Sequence, residues 1–208
     1  MNKNIKLIII VVGLYLFAQI IADVTAFKMI EIFGITLPAG TFVYALTFTK
    51  RDLAHKTIGK SNTLFLVIIA AVINILMAAY FMATIKMPSP AWFEYSSEYA
   101  LVLGLVPRIV LASIAAEVVA QIVDTHIYQA WWEKFPKAPQ WTRVLVSNGI
   151  GVPVDTALFV IVAFWGVVPV NQLPMLIIGQ IIFKYIITVI SLPGIYTLPQ
   201  NPDYDIAK

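Results

Sequence analysis

Four ionisable side chains lie inside long apolar runs of this chain: Arg108, Glu117, Asp155 and Lys184. A charge in hydrocarbon is costly, so such groups face a partner, a cavity or a solute path. Two are positive and two negative, so the set can neutralise itself or hold a polar ligand. Ser113, Glu117, Gln121 and Asp124 follow one another at intervals of four, four and three, which places them on one helical face. Arg108 precedes Glu117 by nine residues and falls on nearly the opposite face, so these two do not pair within a helix. Gln180 and Lys184 are one helical turn apart. Asn148 and Asp155 are two turns apart, with Gly149, Gly151 and Pro153 between them. A proline there removes a backbone donor. Freed backbone groups at membrane depth are tolerated where they line a cavity, as in broken-helix transporters.

The elements that must position these groups follow from composition. Of 208 residues, 60% are hydrophobic and 12% are charged, where a soluble domain carries about 25% charged residues. Mean hydropathy is +0.86. This composition excludes a disordered chain and an ordinary soluble enzyme. The net charge of +3 is too small for a nucleic-acid partner. The absence of cysteine rules out disulfides, thiolate nucleophiles and thiolate metal sites. The expectation is an all-α integral membrane protein forming a single domain, with a polar tail from Pro199 to Lys208 that is loosely ordered.

A spanning helix needs about 20 apolar residues, and six stretches qualify: Ile5–Ala22, Ile32–Thr49, Leu64–Ile85, Leu101–Val123, Val144–Val168 and Leu173–Leu192. The second contains Pro38 and Gly40, so a re-entrant or broken segment is an alternative there. The first follows Lys3 and Lys6 but lacks a small-residue cleavage site, and reads as a retained helix. With six spans, Lys3, Lys6, Lys50, Arg51, Lys56, Lys60, Lys134, Lys137, Arg143 and Lys208 share one side, which makes both termini cytoplasmic. Asp23, Lys28, Glu31, Lys86, Glu94 and Glu98 fall on the other. Trp92, Trp131, Trp132 and Trp141 fall at the expected interfaces. At about 1.5 Å per residue, Asp155, Lys184 and Asn74 reach the midplane.

Each candidate has a plainer reading. Asp155 with Lys184 also reads as an ion pair locking two helices, and Arg108, just after Pro107, as a side chain snorkelling outward. Asn74 also reads as an interhelical hydrogen-bonding residue, and Asp124 as an interfacial anchor. Asp124 with His126 would suit an acid–base pair in a lipid-processing enzyme. No metal-binding histidine spacing and no phosphate-cradling glycine loop occurs, so neither a metal nor a cofactor is expected.

The segment Gln121–Ile122–Val123–Asp124–Thr125–His126–Ile127–Tyr128, followed by Trp131–Trp132, resembles the fourth-helix signature of the queuosine precursor transporter family, within the vitamin uptake transporter group. The similarity continues at Pro38–Ala39–Gly40–Thr41–Phe42, Asp52–Leu53 with Gly59, Ser147–Asn148, Asp155–Thr156, Phe159, Ala163–Phe164–Trp165, Phe183–Lys184 and Leu192–Pro193, and at Lys28 before Gly34. It covers residues 23 to 196; Pro153 and Lys56 depart from the pattern. The resemblance implies a six-helix importer in the cell (inner) membrane, with a fold like the S components of energy-coupling factor transporters. The implied cargo is 7-cyano-7-deazaguanine, 7-aminomethyl-7-deazaguanine or queuine. The guanine-like edge suits a bidentate carboxylate from Glu117 or Asp155. Asn148, Gln121 or Gln180 would read the carbonyl and ring nitrogens, and Trp165, Phe159 or Phe42 would stack on the ring. Lys184 would donate to the carbonyl or hold Asp155 ionised. Arg108 and Asn74 complete the expected polar set. Alternatives are an S component for another vitamin or nucleobase with a separate energising module, and a homo-oligomer.

Overall fold

The computed structural model describes residues 3–135 and 140–196, over stretches such as 45–60 and 191–196 as backbone alone. The chain order is α1 (Lys3–Thr25), β1 (Met29–Ile32), β2 (Ile35–Pro38), α2 (Gly40–Ile85), α3 (Ser96–Leu103), α4 (Val106–Lys134), α5 (Gln140–Phe164) and α6 (Leu173–Tyr196). The tail from Pro199 lies outside the described residues. Helices dominate because, in lipid, every backbone polar group must be satisfied within its own segment. Among the described residues, Ile8–Thr25, Ser61–Ile85, Ser96–Ala120 and Val170–Ile187 are long and apolar enough to cross a membrane, and Asn148–Phe164 is a shorter apolar helix.

The helices are apolar on both faces, and residue size and polarity decide which face turns inward. In α1, Val11, Tyr15, Ala18 and Ala22 are buried, while Ile9, Ile10, Leu14 and Phe17 face outward. In α6, Leu173, Leu176, Gln180 and Lys184 form the inner stripe, and Ile178, Ile182, Ile186 and Ile190 the outer one. Both rows follow the three-to-four spacing of one helical face.

Two features differ from the expected layout. The start of the stretch expected as a second span is not helical. Residues 29–38 form a two-stranded antiparallel hairpin, with Met29 opposite Pro38 and Ile32 opposite Ile35. Phe33 and Gly34 turn it, both at positive φ (52° and 76°), as a two-residue hairpin turn requires. The hairpin packs on α6 at Gly179, where a β-carbon would stand 2.9 Å from the Thr36 carbonyl oxygen.

The second difference lies in α2, whose 46 residues are helical throughout, including 50–60, expected as a loop. A straight helix of that length would extend about 69 Å. Yet Gly40 meets the Ala22 carbonyl closely enough that a β-carbon would collide with it, while Asn74 hydrogen-bonds to Asp23. Ala22 and Asp23 are adjacent, whereas Gly40 and Asn74 would be about 50 Å apart on a straight helix. The helical run therefore doubles back between them, and its two arms both lie against α1.

Pro153 sits inside α5. It cannot donate to the Gly149 carbonyl four residues earlier. The Tyr185 hydroxyl of α6 supplies the missing donor, at 3.0 Å from Gly149 O and 3.3 Å from Asn148 O. The proline that weakens α5 thus binds it to α6. Tyr185→Phe is expected to destabilise the protein by about 1–3 kcal/mol through the orphaned carbonyl. Pro153→Ala, which restores the helix's own N–H, should reduce that loss. Thermal melts of the two single variants and the double variant in detergent check this; an unrescued double variant would contradict the account.

Candidate functional site

α1, the first turns of α2, α4, α5 and α6 converge around a pocket of about 340 Å³, a figure that takes in the open space at its mouth. The α1 end contributes Ala22, Asp23 and Ala26, and the first turns of α2 with their approach contribute Pro38, Gly40, Thr41 and Tyr44. Ser113 comes from α4, Asp155 and Phe159 from α5, and Gln180 and Lys184 from α6. Ala26 and Pro38 flank the two roots of the hairpin, so the hairpin frames one wall.

At the centre, the Lys184 ammonium donates to Asp155 Oδ2 at 2.7 Å and to Thr156 Oγ1 at 2.9 Å. Lys184 and Asp155 are 1% and 2% exposed. The ammonium also lies 5.0 Å from the centre of the Tyr44 ring, a cation–π distance. A fully buried pair holds only when hydrogen bonds satisfy its remaining donors and acceptors, and Thr156 is placed to do this. One turn from Lys184, Gln180 is 2% exposed, and its Nε2 has no hydrogen-bond partner within the protein. Thr41 Oγ1, on the opposite wall, also lacks one.

Asp23 forms a second polar centre. It is 2% exposed and accepts from Asn74 Nδ2 at 2.8 Å, with Ser113 in the same pocket lining. Glu117 acts electrostatically on both Asp23 and Tyr44. Among the described residues no three His, Asp or Glu side chains converge as metal ligands.

Of the residues singled out from the sequence, Asp155, Gln180 and Lys184 line the pocket. Asn74 reaches it through Asp23, and Glu117 stands beside it. Phe42 packs edge-on against Phe183 at 5.2 Å, with its neighbour Thr41 in the wall. Phe159 lines the pocket and meets Phe164 edge-on at 5.8 Å. Three residues are placed elsewhere. Arg108 donates from Nε to Val162 O at 2.7 Å and from Nη2 to Trp165 O at 2.6 Å; these are end carbonyls of α5, which no further turn can satisfy. Trp165 is 57% exposed at that same end. Asn148 offers its backbone carbonyl to Tyr185 and does not line the pocket. The side chains of Gln121, Asp124, Trp132 and Trp141 lie outside the described residues.

Sequence reasoning missed Asp23, Thr41 and Tyr44. Asp23 was expected in an external loop. It lies instead in the last turns of α1, facing inward, because Ala18, Ala22 and Asp23 share the packed side of that helix. A signal was available: Gln19 and Asp23 are one turn apart at the end of an apolar run, and both are buried.

Residues 38–198 match the family model described as "Putative vitamin uptake transporter". The chain belongs to that family. It is also 27% identical over 182 residues to a protein of Bacillus subtilis (strain 168) named "Probable queuosine precursor transporter", covering 86% of this chain and 79% of the relative. No solved structure matches the chain. As a vitamin uptake transporter family member, the chain is a multi-pass membrane transporter and not an enzyme. The acid–base reading of Asp124 and His126 lapses accordingly; His126 Nδ1 lies 2.7 Å from the Ile122 carbonyl oxygen on its own helix.

Removing one member of the central pair leaves the other charge buried and alone. Asp155→Asn and Lys184→Met are each expected to cost about 3–5 kcal/mol. The double variant should lose less than the sum of the two, because neither charge is then stranded. Unfolding of purified protein measures all three, and simple additivity would show that the two groups do not act as a pair.

Proposed function

We propose that this chain imports queuosine precursors, holding a 7-deazaguanine base in the pocket between α1, α2, α4, α5 and α6. The observation that carries the reading is the buried pair Lys184–Asp155 beside Gln180, whose amide Nε2 lacks a partner. A flat base with adjacent donors and a carbonyl complements that set. Asp155 accepts from the ring N–H and exocyclic amine, while Gln180 Nε2 and Lys184 donate to the carbonyl and ring nitrogens. Phe159 provides an aromatic surface for the ring. The name of the Bacillus subtilis relative supports the same cargo.

The two arms of α2, together with α1, the α3–α4 run, α5 and α6, support six crossings. An even count puts both termini on one side, and the basic residues at 3, 6, 50, 51, 56 and 60 make that side cytoplasmic, in the cell membrane. Alternating access around the pocket moves the base inward. A second reading follows from the family description, which refers to vitamin uptake: the chain acts as an S component for another vitamin and depends on an energising module. Copurification of ATPase subunits from native membranes would favour it.

The purified chain is expected to melt at higher temperature with 7-cyano-7-deazaguanine, 7-aminomethyl-7-deazaguanine or queuine, and to be unaffected by biotin. Gln180→Met should weaken binding about three- to tenfold while leaving the ligand-free melt unchanged. Stabilisation by biotin alone would overturn the assignment in favour of a vitamin carrier.

A further inference from the structure

The pocket is lined by two sets of polar groups of different hydrogen-bonding character, one from α5 and α6 and one from α1 and α2. In the α5–α6 set, donors are in supply: Gln180 Nε2 lacks a partner, and the Lys184 ammonium faces Asp155 and Thr156. In the α1–α2 set, acceptors are in excess. Asp23 is buried in the pocket wall, and among the described residues the hydrogen bond it receives comes from a neutral group, the Asn74 amide. Among the described residues no basic side chain pairs with it. Because Asn74 commits its amide nitrogen to Asp23, its Oδ1 is fixed as an acceptor, and that atom is buried without a partner. Thr41 Oγ1, 4% exposed and part of the same wall, also has none.

A carboxylate held this deep is costly unless a cation or several donors meet it. Two carboxylates, Asp23 and Asp155, line the pocket against the single ammonium of Lys184, and that ammonium donates to Asp155 and Thr156. A neutral base would leave Asp23 to be neutralised by a proton and the Asn74 and Thr41 oxygens unmet. A protonated amine brings positive charge and several N–H donors at once, which matches one carboxylate flanked by two spare oxygens.

We propose that Asp23, with Thr41 and Asn74, forms a counter-ion subsite for a cationic amine substituent on the transported base. This rests on the reading that the pocket holds a deazaguanine. It makes the preferred cargo a base with a protonated aminoalkyl arm: the flat ring is read at Asp155 and Gln180, and the arm reaches across to α1.

Binding of 7-aminomethyl-7-deazaguanine, which carries the ammonium, is compared with binding of neutral 7-cyano-7-deazaguanine on the purified full chain. The wild type is expected to favour the cationic compound by about tenfold or more. Asp23→Asn keeps the shape and the bond from Asn74, and should abolish that preference by weakening the cationic compound far more than the neutral one, whose remaining binding reports an intact pocket. Thr41→Val should weaken the cationic compound alone. Equal wild-type affinities, or an Asp23→Asn variant that weakens both compounds alike, would overturn the subsite and leave the deazaguanine reading standing. A sodium requirement for binding that disappears in Asp23→Asn would also overturn it, assigning Asp23 to a metal cation. Failure of the wild type to bind either compound is a separate result, which overturns the importer reading and the subsite with it.

Discussion

The bond between the Lys184 ammonium and the Asp155 carboxylate, 2.7 Å long and almost wholly removed from solvent, constrains everything around it. Neither charge can be left alone in an apolar interior, so α5 and α6 must meet at that depth and in that register. Thr156, next to Asp155, takes a second proton of the ammonium. Tyr185, next to Lys184, closes the gap that Pro153 opens in α5. Three successive contacts therefore join the same two helices within about two turns. The pocket opens on the inner side of this joint, where Gln180 and Phe159 continue the same helical faces.

The remaining walls are shaped by close backbone approach. Gly40 lets the start of α2 press on Ala22, and Gly179 lets the hairpin press on α6. The hairpin's roots at Ala26 and Pro38 face the pocket, while its tip, Phe33, is 98% exposed. The doubled-back α2 brings Thr41 and Tyr44 from one arm into the pocket lining that Asp23 shares, and Asn74 from the other arm to the Asp23 carboxylate. A straight α2 would bring Asp23 only one of these groups.

The α5–α6 half of the site was legible in the sequence because charge is conspicuous there. Asp155, Gln180 and Lys184 stand in runs of aliphatic residues, and the one-turn spacing of the last two fixes a common face. Asp23 was not legible, because an aspartate at the end of an apolar run looks the same whether it faces water or a cavity. The packing of α1 against α2 decides that, and the contact with Asn74 lies 51 residues away along the chain. The hairpin had a local signal, two short β-prone runs around Phe33–Gly34, but it was submerged in an apolar stretch that also read as a broken span. Arg108 shows the reverse failure. Its charge stood out as strongly as that of Lys184, yet it answers to the end carbonyls of α5, a demand that arises only once the helices are packed.

An ion pair between neighbouring helices is, taken alone, as compatible with a structural lock as with a binding site. The surroundings separate the two. A lock gains nothing from unmet hydrogen-bonding groups beside it, and in a dry interior each such group costs about 1–3 kcal/mol. Thr156 and Tyr185 show that this chain can satisfy its buried polar atoms where only structure is at stake. Gln180 Nε2, Thr41 Oγ1 and Asn74 Oδ1 remain without protein partners, as does Trp131 Nε1 near the far end of α4. Gln180 and Thr41 line the pocket itself, and Asn74 is bonded to the carboxylate that lines it. Three of these atoms gather around one pocket, beside a joint whose own polar atoms are met; under the proposed transport reading a polar solute completes them, a demand that a lock does not make.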